Sequence, residues 1–301
     1  MASGKLWGIV GGCYNLIATT AIRFVQHEGM TRAGAISFSS LFALFPFLIF
    51  LTAVAATLGE TQTARDFVDF ALQSVPPEVA DTLRPAIQQV LTTGEGGVLT
   101  FSMLMTLWAA SSGVEALRDA LNAAYDVETN RHFLMRRLQG TAIVLISSVA
   151  VLFVMTSFVF LPLLWEPLAR WLGIAAATVW IVNAVQIALS ILIVWIGIAL
   201  LYRWLPNVRQ HFRDVVPGAI LSGVTWLAIL VVFSWYLRSF GRFTVVYGSL
   251  GGIVITLLFF YLSAAALIVG AEFNAARRLN RVAKETAAAS HRNHMDLHPS
   301  P

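Results

Sequence analysis

Charged side chains are scarce in this chain. Asp, Glu, Lys and Arg make up 12% of its 301 residues, 57% are hydrophobic, and the mean hydropathy is +0.74. A soluble domain has about 25% charged residues, so this composition argues against a water-soluble enzyme. The uncharged residues form six long runs, at 33–59, 96–114, 138–165, 171–202, 215–237 and 243–271. Since a helix needs about 20 apolar residues to cross a bilayer, we predict a polytopic all-α membrane protein.

Cysteine is almost absent as well. Cys13 is the single cysteine, which excludes an intramolecular disulfide and a cysteine-based metal site. The chain also lacks the HExxH, GxSxG and Walker sequences that mark common hydrolases and nucleotide-binding enzymes. Three histidines, His27, His132 and His211, fall in different segments. We therefore predict that the chain is not an enzyme and has no cofactor or metal site.

The positions of the basic residues predict how the chain lies in the membrane. With the N-terminus inside, 15 of the 20 Lys and Arg residues fall in inside segments, in agreement with the positive-inside rule. The pI near 9.6 then reports orientation, and we expect no nucleic-acid partner. We predict six transmembrane helices with both termini inside, at about residues 33–58, 97–114, 139–164, 175–201, 215–237 and 246–271.

Three segments lie outside these predicted spans. Leu6–Ile22 is short and Gly-rich, which favours a helix along the inner membrane surface or against the bundle. Residues 60–95 have a helical period broken at Pro76 and Pro77, and this predicts an outer helical hairpin that either shields the bundle or acts as a gate. The tail at 277–301 is basic and then polar. We expect a disordered cytoplasmic tail, because nothing apolar is present to order it.

Several residues inside the spans are candidates for function or packing. Pro46 should kink the first span, either as a packing feature or as a hinge. Asn183 and Gln186 share a face of the fourth span, where they either bind neighbouring helices or line a polar path. Gly248 and Gly252 have the GxxxG spacing that permits close helix approach, and Ala266 and Gly270 repeat this small-residue step.

Glu272 is the most informative candidate. It directly follows the uncharged run 243–271, near the inner end of the sixth span. A carboxylate at this depth needs a cationic partner, and we expect an arginine of another inner segment, such as Arg32, Arg136 or Arg213. The pair either stabilises the bundle or forms a proton- or substrate-coupled site.

Four sequence pieces, in order, carry a resemblance to a known family. They are Arg32 to Pro46; Trp108 to Gly113 with Leu117, Leu121, Asn122 and Tyr125; Tyr202 to Pro206 with Pro217, Gly218 and Ala219; and Tyr247 to Gly251, continuing through Tyr261 to Gly270, Ala271, Glu272, Phe273 and Asn274. Over roughly residues 23–276 the chain resembles the YihY/virulence factor BrkB family of bacterial inner-membrane proteins. It departs from the family pattern at Phe38 and Phe260, which stand where Tyr and Trp are expected.

The resemblance implies a multi-pass protein of the inner (plasma) membrane, and it adds Trp108, Tyr247 and Asn274 to the candidate residues. The family was once labelled ribonuclease BN. The sequence argues against that activity, because the metal-binding or acid–base residues that phosphodiester cleavage needs are scattered along the loops. We predict a transporter-like role for a lipid, an amphipathic solute or an anionic solute. The alternative is a non-transporting scaffold or envelope-maintenance protein. The bilayer is the expected partner, and the oligomeric state stays open.

Overall fold

The computed structural model describes residues 2–58, 96–128, 132–150, 153, 179–239 and 249–297, and at some helical positions, including 2–13, 44–58, 179–183 and 287–297, it describes only the backbone. These ranges contain no strand, so the all-α prediction is confirmed for them. They form seven helices: α1 (Ala2–Gln26), α2 (Gly29–Leu58), α3 (Gly96–Ala124), α4 (Phe133–Ala150), α5 (Val179–Trp204), α6 (Phe212–Ser239) and α7 (Ser249–Leu297). The predicted outer hairpin at 60–95 lies outside the described residues.

Four helices of the described ranges are long and apolar enough to cross a membrane. Their candidate spans are Phe133–Ala150, Ala184–Trp204, Phe212–Tyr236 and Gly252–Ala283. They correspond in order to the last four predicted spans. The first two predicted spans, 33–58 and 97–114, lie within α2 and α3, which are helices of 30 and 29 residues.

The helix α7 runs antiparallel to both α6 and α2. Along α6 and α7, Gly218 contacts Asn274 and Ser222 contacts Ala266, so the residue numbers rise on one helix as they fall on the other. The helices α2 and α7 have the same relation, since Met30 contacts Tyr261 and Ser37 contacts Leu257. As a result, α1, α3 and α5 finish at one end of the bundle, where α2, α4 and α6 begin. We call this end the charged end, because it holds the buried ionic groups described below.

Glycine permits a close approach between α6 and α7. A Cβ atom added to Gly218 would lie 2.1 Å from the carbonyl oxygen of Gly270, and one added to Gly270 would lie 2.0 Å from Oγ of Ser222. Small residues allow helix backbones to pack this closely in membranes. The hydroxyl of Tyr202, on α5, enters the same contact and donates to the carbonyl of Leu267 at 2.5 Å. The sequence indicated small-residue steps at Ala266 and Gly270, which lie in this contact, and at Gly248 and Gly252. Gly252 is buried in α7, whereas Gly248 lies outside the described residues.

The C-terminal segment differs from the sequence prediction. We expected disorder from Arg277, but α7 continues without interruption to Leu297. The expectation rested on the lack of apolar residues, which decides whether a segment packs. It does not decide helix formation, for which Ala, Arg, Lys and Glu have high intrinsic propensity. These residues dominate 275–289, and the preceding span supplies a helix that is already nucleated. Near the start of this extension, Arg281 forms an exposed ion pair with Asp214 of α6, at 3.0 Å.

A tight reversal joins α1 to α2. Glu28 has a left-handed backbone, with φ at 54°, and ends α1. The next residue must be Gly29, because the ring of Phe24 packs against it and lies 2.4 Å from the position that a Cβ atom would occupy. Phe24 itself is buried in an apolar cluster with Ala33, Ile36, Ala264 and Ile268. This cluster fixes α1 against α2 and α7 and positions the last turn of α1 at the charged end.

Candidate functional site

The carboxylate of Glu272 is the centre of the site. It lies on α7 with none of its side chain exposed, and it has two partners at the C-terminal end of α1, one in the last turn and one directly after it. Nε of Arg23 donates to Oε2 at 3.1 Å, and Nδ1 of His27 lies 2.6 Å from Oε1. Arg23 and His27 are four residues apart and therefore share one face of their helix. Each carboxylate oxygen thus has its own partner.

Glu272 pairs with an arginine of another segment, as expected, but this arginine is Arg23 and not Arg32, Arg136 or Arg213, which the sequence had suggested. Arg32 instead donates to the backbone carbonyl oxygens of His27 and Asp119, and Arg136 binds the carboxylates of Glu115 and Asp119. The partner instead comes from α1, which precedes the first predicted span. Because α1 packs directly against α7, its last turn places Arg23 within hydrogen-bonding distance of the Glu272 carboxylate.

Asp126 brings a third helix into the site. It follows α3 with a left-handed backbone, at φ 52°, and its amide donates to Ala123 while that of Val127 donates to Asn122. This pair of bonds is the Schellman arrangement that closes a helix C-terminus, where glycine is usual. The turn directs the Asp126 carboxylate to α1, where Oδ2 lies 2.8 Å from Nη2 of Arg23 and Oδ1 lies 3.1 Å from Nε2 of His27.

An open cleft of about 370 Å³ adjoins these groups. Glu28 and Asp126, the two non-glycine residues with positive φ in the described ranges, both line it. Left-handed backbone at such residues is strained and tends to occur at functional sites. The cleft is lined by Gln26, His27, Glu28, Arg32, Ala123, Asp126, Val127 and Glu128.

The His27 ring has a distinctive hydrogen-bonding environment. Both of its nitrogens face a carboxylate oxygen, one from Glu272 and one from Asp126. A neutral imidazole donates from one nitrogen only, so satisfying both contacts takes one additional proton on the ring or on a carboxylate. The arrangement can therefore hold and exchange a proton. Among the described residues, no group of three His, Cys, Asp or Glu side chains could hold a metal ion.

A second ionic cluster joins α3 to α4. Arg118 is almost fully buried and donates to Oε1 of Glu115 at 2.5 Å. Arg136 binds the other oxygen of Glu115 through Nε and Nη2, at 3.0 and 2.7 Å, and also reaches Asp119 at 3.0 Å. Glu115 therefore has a cation on each side. Because these groups are paired with one another and do not line the cleft, we assign them a structural role.

Asn274 also has a structural role. Its Oδ1 accepts from the Gly218 amide at 2.7 Å, and its Nδ2 donates to the Val215 carbonyl at 2.9 Å. Both groups lie beside Pro217, which lacks an amide donor and disturbs the backbone bonding of α6. Asn274 thus clamps α6 to α7 one turn or less from Glu272. Tyr125 is buried beside this clamp, and that burial raises its pKa to about 12, while the amides of Asn274 and Gln210 offset part of the shift.

Trp108 and Gln186 do not join the site. Trp108 is half-exposed on α3, with the guanidinium of Arg137 3.9 Å from the centre of its ring. Such contacts are favourable cation–π pairs. Gln186 is buried in α5, and its side-chain nitrogen has no hydrogen-bond partner within the described ranges. Pro46 and Asn183 lie in α2 and α5 at positions where only the backbone is described, and Tyr247 lies outside the described residues.

Sequence reasoning missed Arg23, His27 and Asp126 as site residues. Arg23 was used only to orient the chain, and His27 only as one of three scattered histidines. The available signal was the pairing of Arg23 with His27 at four-residue spacing, directly before the first long uncharged run. Asp126 carried no comparable signal, because its role depends on the left-handed turn that ends α3.

Comparison with known proteins identifies relatives of nearly the whole chain. The model of the family described as virulence factor BrkB matches residues 20–294. The chain is 32% identical over 257 residues to YfkH of Bacillus subtilis (strain 168), a protein named as ribonuclease-like, covering 84% of this chain and 91% of that relative. It is 20% identical over 264 residues to the UPF0761 membrane protein MS0032 of Mannheimia succiniciproducens, covering 86% of this chain and 88% of the relative.

A third relative is the UPF0761 membrane protein Smlt0865 of Stenotrophomonas maltophilia (strain K279a), 26% identical over 266 residues, covering 84% of this chain and 58% of the relative. No solved structure matches. These matches confirm the resemblance noted in the sequence, and they agree with the apolar helices of the bundle. The chain therefore belongs to the virulence factor BrkB family of membrane proteins.

Proposed function

We propose that this chain is a transporter-like protein of the bacterial inner membrane, with six spans, both termini inside and its charged end facing the cytoplasm. The distribution of basic residues supports the orientation, since 15 of 20 fall on the inside segments. The antiparallel order of α2, α6 and α7 supports alternating spans. The cleft would then open to the cytoplasm or to the inner headgroup region.

The observation that carries the proposal is the burial of Glu272 next to this cleft. Taking a carboxylate and its cations out of water is costly, and a well-packed apolar contact is often as stable. Ionisable groups inside membrane bundles therefore usually mark substrate or ion pathways. Here Glu272 has no exposed surface, yet its hydrogen-bonding neighbour His27 lines an open cleft. A scaffold without transport gives no reason for this arrangement.

The cleft favours one of the predicted substrate classes. Its charged lining consists of Arg32 against Glu28, Asp126 and Glu128, with Arg23 behind it. These groups leave an excess of negative charge, which repels a free anion and attracts an ammonium group. Large apolar side chains are exposed on α4, α5 and α6, where acyl chains would contact them. A lipid or other amphipath with a positively charged or zwitterionic headgroup fits best.

The test is transport by purified full-length protein in vesicles of phosphatidylethanolamine and phosphatidylglycerol. Acyl-labelled fluorescent phosphatidylethanolamine should cross the bilayer faster with the protein than without it, as followed by dithionite quenching. Glu272→Gln should slow this movement at least about tenfold, the effect of about 1.4 kcal/mol in a barrier. Asp214→Asn, in an exposed ion pair between α6 and α7, should leave it unchanged.

Two further arms separate the competing functions. If labelled phosphatidylglycerol or an entrapped anionic dye moves and phosphatidylethanolamine does not, the substrate is an anion and the charge argument is wrong. If nothing moves, the non-transporting scaffold is the better description. The ribonuclease-like name of the Bacillus relative is tested by incubating the same protein with RNA. We expect no cleavage, because the excess of negative charge around the cleft repels the phosphates of RNA.

A further inference from the structure

We propose that Asp126, His27 and Glu272 form a path that carries protons from the cleft to a proton-binding site at Glu272. This inference deepens the proposed function, on which it rests, by naming the ion that the site would couple to transport. The path consists of three ionisable side chains from three different helices or helix ends. It needs no group that is absent from the structure.

The three side chains form a graded series of exposure. Asp126 is 58% exposed, His27 19% and Glu272 0%. The two nitrogens of one imidazole make the connections, with Nε2 3.1 Å from Asp126 and Nδ1 2.6 Å from Glu272. Both distances are within hydrogen-bonding range. The imidazole therefore joins a solvent-exposed carboxylate to one that has no contact with solvent.

The charges of the cluster favour one bound proton. Arg23 supplies one positive charge, and the carboxylates of Asp126 and Glu272 supply two negative charges. A proton on His27 or on Glu272 makes the cluster neutral, which lowers the cost of keeping it away from water. If its sole purpose were to neutralise Glu272, Arg23 would suffice, because a guanidinium can bind both oxygens of a carboxylate. Instead Arg23 binds one oxygen, and His27 faces the other.

The transfer conserves protons at each step. A proton from the cleft binds Asp126 and passes to Nε2 of His27, while the proton on Nδ1 of the ring passes to Oε1 of Glu272. The ring is then left with its proton on Nε2, and it returns to the starting tautomer when Nδ1 takes a proton back from Glu272 and Nε2 releases one to Asp126. No bond between heavy atoms forms or breaks. Imidazole is suited to this role because it exchanges its proton between about pH 5 and 8.

Other charged groups face this path. Arg23 binds both carboxylates, and Arg32 donates to the backbone carbonyl of His27. Glu28 and Glu128 line the cleft beside the ring. Tyr125 lies near Glu272, and burial raises its pKa to about 12, so its phenol stays neutral in the range where imidazole titrates. The two glutamates attract protons to the entrance, while Arg23 keeps Glu272 able to release its proton.

Infrared difference spectroscopy of the full-length protein in lipid nanodiscs tests the proposal without any substrate. Lowering the pH should produce the carbonyl band of a protonated, buried carboxylic acid. Glu272→Gln should abolish that band, and Glu285→Gln, at an exposed site on the same helix, should not affect it. After a rapid pH change, His27→Gln and Asp126→Asn should delay the band at least about tenfold, the lower range of effects for removing a proton-transfer group.

The outcomes separate this inference from the proposed function. A band that survives in Glu272→Gln, or that appears at the wild-type rate in both His27→Gln and Asp126→Asn, overturns the proton path even if lipid transport is measured. A band that behaves as expected while no substrate moves upholds the proton site and overturns transport. Should Glu272→Gln fail to fold, Glu272→Asp keeps the acid. This variant should retain the carbonyl band at a shifted frequency. A band at the wild-type frequency contradicts its assignment to Glu272.

Discussion

Nδ1 of His27 lies 2.6 Å from Oε1 of Glu272, although the two residues are 245 positions apart in the sequence. This contact joins the last turn of α1 to the helix that closes the bundle. It also places the buried carboxylate of Glu272 close to an open cleft, which His27 lines. The stability of the charged end should therefore depend on which member of the cluster is removed.

Arg23→Met should destabilise the protein more than Glu272→Gln. Removing the guanidinium leaves the buried carboxylate with His27 alone, and an uncompensated buried charge costs about 3–5 kcal/mol. Glu272→Gln keeps the side-chain shape and leaves Arg23 bound to Asp126, so we expect about 1–3 kcal/mol. Equilibrium unfolding in mixed detergent micelles measures both values. The exposed pair variant Asp214→Asn is the control, and the reverse order of the two main variants would contradict the assigned pairing.

Asn274→Ala should cost about 1–3 kcal/mol, because it leaves a buried amide and a buried carbonyl without their partner. The two groups are the Gly218 amide and the Val215 carbonyl on α6. The same unfolding assay applies. Asn280→Ala, on the exposed side of α7, is the matched control, and its change should stay within about 0.5 kcal/mol. Equal effects of the two variants would show that the clamp between α6 and α7 contributes nothing.

The sequence predicts the fold class well because long uncharged runs have one stable solution in a bilayer, the helix. It also predicts that Glu272 needs a cationic partner, because a carboxylate at that depth cannot remain alone. The identity of the partner depends on packing. Arg23 reaches Glu272 only because Phe24 and Ile268 pack α1 against α7, a contact between distant parts of the chain.

The small-residue contact shows a different limit. GxxxG spacing identifies a surface on which a helix can be approached closely, but not whether another helix lies there. In the structure the close approach pairs Gly218 with Gly270, on two different helices. The small-residue step at Ala266 and Gly270 indicates one side of this contact, but no spacing rule within one helix identifies Gly218 as its partner. The left-handed turns at Glu28 and Asp126 are equally hidden, since neither residue is the glycine that a C-terminal turn normally indicates.

Gly218→Ala and Gly270→Ala should each prevent normal packing of α6 against α7. The added methyl group would lie within about 2.1 Å of a backbone or side-chain oxygen in either case, well inside contact distance. We expect loss of monodisperse protein in detergent, or destabilisation of more than about 3 kcal/mol. Gly197→Ala is the control, because nothing lies within 4 Å of its added methyl group. That variant should be neutral or stabilised by up to about 1 kcal/mol through helix propensity. Tolerance of both Gly218→Ala and Gly270→Ala would contradict the helix contact.

Glu28→Gly should stabilise the protein by about 0.5–1 kcal/mol. Left-handed backbone costs a residue with a side chain about 1–2 kcal/mol, and glycine removes that strain while losing part of the gain to the greater freedom of its unfolded state. Glu28→Ala keeps the strain and is the control, with no change expected in the same unfolding assay. A destabilised Glu28→Gly would mean that the glutamate side chain, and not the backbone, holds the turn.

Transport measurements on the same two variants separate the role of the carboxylate from that of the turn. If Glu28→Gly is more stable but both Glu28→Gly and Glu28→Ala transport more slowly, the carboxylate serves the cleft. Slower transport by Glu28→Gly alone would instead assign that role to the strained turn, which keeps Glu28 beside His27 and Asp126.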